Sequence, residues 1–124
     1  MALKVRVTQD RSFSRTVHLS GRLDHDSVAV LDRELDQVAD QPVEVLIFDL
    51  ADLEYINSAG LRSIFAARNP AAEQSRRLVL MNAQPQVQKV LDIIKAVDLA
   101  AVFGSVEELD RYLDAMQRKV VDGQ

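Results

Sequence analysis

The sequence contains no cysteine, and only two histidines, three prolines and four glycines among its 124 residues. Without cysteine there is no disulfide framework, no thiolate metal site and no cysteine nucleophile, a pattern that suits a reducing cytoplasm. His18 and His25 lack the i, i+4 spacing of a helical zinc pair, so no metal site is expected. Four glycines cannot build a dinucleotide fingerprint, and no G-x-x-x-x-G-K-[ST] cradle occurs, which leaves no motif for a cofactor. Basic charge is also short. Fifteen Lys and Arg stand against 19 Asp and Glu, giving a net charge of −4, and the bases are scattered. Nucleic acid and anionic membranes are bound through clustered basic faces, so neither is an expected partner. No apolar run is long enough to span a bilayer, and the first residues lack the continuous apolar segment of a signal peptide. The reading is of a cytoplasmic protein without direct membrane insertion.

What is present is an ordinary globular mixture, 48% hydrophobic and 27% charged, with no internal repeat and no linker. One domain over residues 1–124, with a core from about 3 to 120, accounts for it. Leu3, Val5 and Val7 alternate with Lys4, Arg6 and Thr8, and Thr16 to Ser20 alternates likewise up to Gly21. These predict a hairpin whose charged first strand lies near an edge. Residues 21–27 read as a polar connection ending in the N-cap candidates Asp26 and Ser27. Val28, Leu31, Leu35 and Val38 then recur at helical steps and stop before Pro42. Val43 to Leu50 predicts a central strand covered on both sides, and Ala51 to Ile56 a connection.

A helix follows from Ser58, broken at Asn69-Pro70, and Arg77 to Met81 predicts another inner strand. Arg76-Arg77 reads as a solvated turn. Pro85 suits the first turn of a helix carrying Val87, Val90, Leu91 and Ile94. Val102-Phe103 suggests a short final strand. Ser105 is placed to cap a last helix with Val106, Leu109, Leu113, Met116 and Val120 on its stripe. Two strands followed by alternating helices and strands predict an α/β domain with a mixed sheet.

The stretch Asn57-Ser58-Ala59-Gly60-Leu61 stands where an apolar strand feeds a helix. A helix N-terminus has unpaired N–H groups and a positive dipole end, which stabilise a side-chain oxygen or a phosphate. Local pattern leaves both open: Asn57 or Ser58 as a plain cap, or Ser58 as a site of charge. Ser58 is not in a G-x-S-x-G elbow, and both histidines lie upstream of it, so no base is available in the order that a hydrolase needs. No catalytic constellation is found, and the chain is not expected to be an enzyme. Asp24 and Asp49 fall at predicted strand-to-helix edges, which would place them near Ser58.

At these residues the chain resembles the STAS domain family, and within it the stand-alone bacterial anti-sigma-factor antagonists. The resemblance rests on Leu19-Ser20-Gly21-Arg22-Leu23-Asp24 with His25, on Leu46-Ile47-Phe48-Asp49-Leu50 followed by Leu53 and Ile56, and on Asn57-Ser58-Ala59-Gly60-Leu61. It implies a single STAS domain with a four- or five-stranded mixed sheet flanked by about four helices. It also implies that Ser58 is phosphorylated by a serine kinase of the histidine-kinase-like ATPase type, itself an anti-sigma factor, and restored by a serine phosphatase. Partner contact would fall on Asp24, Asn57, Ala59, Arg62, Ser63 and Ala66, where small residues beside Arg62 permit close approach. The family pattern more often has aspartate before the serine; Asn57 keeps its size and capping ability without the charge. The alternative implied by the same family is a non-switching subunit of a membrane-associated lipid or anion transport assembly, in which Ser58 only caps its helix.

Overall fold

A computed structural model describes residues 2–68, 76–96 and 103–123. Its elements are β1 (Lys4–Arg11), β2 (Ser14–Leu23), α1 (Val28–Ala39), β3 (Val45–Ile56), α2 (Ser58–Ala66), β4 (Arg77–Met81), α3 (Pro85–Ala96) and α4 (Val106–Val121). The four strands form one sheet in the order β1-β2-β3-β4. β1 and β2 are antiparallel, the predicted hairpin, whereas β2, β3 and β4 run parallel, joined by helical crossovers. The expected α/β domain with a mixed sheet is observed.

The alternation along each strand puts Val17, Leu19, Leu46, Phe48 and Leu50 in one buried cluster with Leu31 of α1, Ile64 of α2, Val87 and Val90 of α3 and Leu113 of α4. Each such side chain, once fully buried, contributes roughly 1.5–3 kcal/mol. Intervening positions carry polar chemistry. His18 and Asp49 face each other across β2 and β3, with Nδ1 3.1 Å from Asp49 Oδ2, and His18 Nε2 lies 3.2 Å from Thr8 Oγ1 on β1. Asn82, in the left-handed region at φ 63°, donates to the other Asp49 oxygen. Thr8, His18, Asp49 and Asn82 thus tie the sheet together from its first strand to the end of its fourth.

Several elements depart from expectation for identifiable reasons. β2 does not stop at Gly21: it runs on to Leu23 through a register shift, with Gly21 at φ +107° and close to the Ala2 carbonyl. Only a residue without Cβ fits both conditions. β3 likewise runs through the supposed connection to Ile56, because Ser20 to Leu23 pair with Asp52 to Ile56. Its burial is one-sided in part: Leu46, Phe48 and Leu50 are buried, while Val45, Ile47 and Asp49 are half-exposed. β4 is the last strand in the order of the described residues. Phe103 lies outside any strand and packs on Tyr112, with ring centroids 5.2 Å apart. The break at Asn69-Pro70 and the strand expected at Val102 lie outside the described residues. Arg76 is no solvated turn: its guanidinium donates to the carbonyls of Val38, Ala39, Gln41 and Val43, closing the C-terminal end of α1.

Candidate functional site at the end of β3

β2 and β3 finish side by side, Leu23 paired with Ile56, and each leads into a helix. The amide of Asn57 donates to the Leu23 carbonyl at 3.2 Å, which joins the two exits. The β2 exit is a tight turn in which Asp24 Oδ1 accepts from the amides of Asp26 and Ser27. Ser27 is the N-cap residue of α1, but its hydroxyl donates to the Arg22 carbonyl at 2.7 Å and caps nothing. Asp24 therefore organises the turn; of the two N-cap candidates, Asp26 and Ser27, it is Ser27 that takes the cap position, without a side-chain cap bond. Gly60 lets α2 settle onto these strands, since a Cβ there would lie 2.5 Å from Leu23 Cγ and 3.1 Å from Ile56 Cγ1.

At the β3 exit Asn57 is the cap and Ser58 the first helical residue. Asn57 is extended, and its Oδ1 accepts from the amides of Ala59 and Gly60 at 3.1 and 3.4 Å. The Ser58 amide donates to Asp110 Oδ1 of α4 at 2.9 Å. Two turns further along α4, buried Gln117 accepts from the Ile56 amide at 3.0 Å and donates to the Ile56 carbonyl at 2.7 Å. α4 thus grips the junction on both sides of Asn57. The sequence signalled neither contact, because a polar residue on a helix 52 or 61 positions away looks like solvated surface.

The Ser58 hydroxyl is the unusual group. Its Oγ is shielded from solvent and has no hydrogen-bond partner among the described residues. An unsatisfied buried hydroxyl costs about 1–3 kcal/mol. Among the described residues no base reaches Oγ, and Asp110 holds the amide of Ser58 instead. Tyr55, buried just before the junction, lies under Arg22, with Cζ 4.0 Å from the ring centroid. Burial first, and then the nearby carboxylates of Asp114, Asp110 and Asp24, push its phenol up to about 12 against the opposing charge of Arg22.

The structure brings Asp24, Asn57 and Ser58 to one edge of the sheet. Arg62, Ser63 and Ala66 lie further along α2, where they line a groove of about 500 Å³ against Asp32, Leu35 and Asp36 of α1. Ala59 is half-buried in the first turn. Asp49 is not at this site. It pairs with His18 inside the sheet, seven residues or about 23 Å of strand before Ile56. Among the described residues no group of three or more potential metal ligands is found, and no helix is long and apolar enough to cross a membrane.

The STAS domain model matches residues 4–109. The proposed anti-sigma factor antagonist BtrV of Bordetella bronchiseptica is 29% identical over 89 residues, spanning 72% of this chain and 77% of that protein. An anti-sigma factor antagonist from Mycobacterium paratuberculosis superposes with a TM-score of 0.63 at 20% identity, over 94% of this chain and 95% of that one. The phosphorylated form of the Bacillus cell fate determinant SpoIIAA does so with a TM-score of 0.58 at 20% identity, over 73% and 83%. The chain belongs to the STAS domain family and has the fold of its anti-sigma factor antagonists.

Proposed function

We propose that this protein is a phosphorylation-controlled binding module of the anti-sigma-factor-antagonist type, with Ser58 as the acceptor. The observation that carries the reading is the Ser58 hydroxyl, without a hydrogen-bond partner among the described residues and set in the first turn of α2 at the carboxyl edge of two parallel strands. A hydroxyl with no hydrogen bond to give up loses nothing on turning outward to a kinase. The kinase transfers the γ-phosphoryl group of ATP to Oγ: the new bond is Oγ–P, the bond to ADP breaks, and the hydroxyl proton leaves to a base on the kinase. A serine phosphatase hydrolyses the ester and restores the hydroxyl.

The unmodified protein binds its kinase, an anti-sigma factor of the histidine-kinase-like ATPase type, and so frees that factor's target. Asp24, Asn57 and Ala59 at the junction, with Arg62, Ser63 and Ala66 along the α1–α2 groove, form the partner surface. Phosphate adds about −1.5 to −2 charges at a helix end that tolerates them, and a closely packed partner must desolvate or repel that charge. The switch therefore works through binding and not through unfolding of the domain.

Incubation with the cognate kinase and ATP should add one phosphate, mapped to Ser58 by mass spectrometry. Ser58→Ala should abolish it, and Ser58→Asp should weaken kinase binding about tenfold or more. A phosphate mapped elsewhere, or unchanged binding by Ser58→Asp, sinks the reading. The shielding of Oγ favours a second reading, a non-switching subunit of a membrane-associated transport assembly. Co-purification with a transporter, with Ser58 never phosphorylated, would establish it instead.

A further inference from the structure

The free N–H groups at the start of α2 are all occupied. Ala59 and Gly60 donate to Asn57 Oδ1, Leu61 donates to the Asn57 carbonyl at 3.0 Å, and Ser58 donates to Asp110. A phosphate on Ser58 Oγ brings oxygen acceptors to this same set and competes with its occupants. Asn57 is neutral and belongs to the chain entering the helix. Asp110 carries charge of the same sign as the phosphate and stands on another element. Repulsion and competition for one amide therefore both fall on Asp110.

α4 is divided in a way that lets it respond. In its first two turns, Val106 and Tyr112 are exposed and only Leu109 packs, partly buried, against the core. From Leu113 onward the helix is anchored, with Leu113, Met116 and Gln117 buried and Gln117 bonded to both backbone groups of Ile56. The first segment has little apolar burial to lose on moving.

We propose that Asp110 is a latch: phosphate on Ser58 evicts its carboxylate from the Ser58 amide and frees the first two turns of α4, while the Gln117 half stays docked. The proposal rests on Ser58 as the phosphate acceptor, and its test needs no kinase. Phosphoserine is placed at position 58 of the full chain during translation, and amide hydrogen exchange is followed by mass spectrometry. Residues 106–112 should exchange about tenfold faster than in the unmodified protein, with 113–121 unchanged.

Asp110→Asn keeps an oxygen that accepts the Ser58 amide and removes the charge. Without phosphate it should exchange like the wild type; with phosphoserine 58 its acceleration should fall to about twofold or less. Equal exchange with and without phosphate overturns the latch. So does equal acceleration in Asp110→Asn, or acceleration of both halves of α4 together. A kinase that leaves Ser58 unmodified would refute the proposed switch and leave this result standing, so the two failures are distinct.

Discussion

Gly60 is a glycine kept for space and not for backbone freedom. It lies inside α2, where alanine is normally better by about 1 kcal/mol. Here a Cβ would meet Leu23 Cγ at 2.5 Å and Cδ2 at 2.8 Å, and Leu23 is completely buried and cannot swing aside. Overpacking of this kind costs about 1–3 kcal/mol and outweighs the helical gain. Gly60→Ala should lower stability by about 1–2 kcal/mol, measured as an earlier urea midpoint with an unchanged slope. A neutral or stabilising result would mean that α2 can lift from the strands. The sequence displays the glycine but not this reason for it, because Leu23 is 37 positions away and only the fold brings it under the helix.

Among the elements, α4 shows what local pattern reveals and what it hides. Ser105 as cap and the stripe through Leu113 and Met116 were readable, since the cap accepts the Glu108 amide and the stripe follows the helical period. Gln117, on the same buried face, was not, because its partners are backbone groups of a distant strand. Replacing it by leucine keeps the volume and leaves the amide and carbonyl of Ile56 unpaired. Gln117→Leu should cost about 2–3 kcal/mol in chemical denaturation. The loss should be accompanied by faster exchange of the Ile56 amide; protection retained at Ile56 would show that another group takes over. The far end of β3 is hidden for a related reason. Asp52 and Glu54 look like loop residues alone, and only pairing with the far end of β2 makes them the exposed positions of a strand. Arg76 gives no sign of its role in the sequence, because carbonyl acceptors carry no sequence signature.

At the scale of the whole molecule the charged groups shape the response to pH. Burial raises the Asp49 carboxyl, but the Ala51 amide, the Asn82 amide, and the hydrogen bond and charge of His18 outweigh it and leave it below its ordinary value of 3.8. The stability it contributes is therefore complete above that value and is lost as pH falls through the lowered one. Asp49→Asn should flatten the acid limb of a stability–pH curve. Tyr55 acts at the other end. Its phenol is raised from 10.0 to about 12, so its contribution is complete below 10 and disappears as pH climbs to 12. Tyr55→Phe should remove that alkaline loss, and an unchanged alkaline limb would place its cause elsewhere. The same residue has an optical consequence. The sequence holds no tryptophan, so emission excited in the tyrosine band comes from its two tyrosines. Tyr55 rides on the strand that leads to Ser58, and Tyr112 on the half of α4 that Asp110 holds in place. If phosphate on Ser58 frees that half of α4 as proposed, the surroundings of Tyr112 change while those of Tyr55 do not, and the protein reports the state of its own junction in light, with no dye attached.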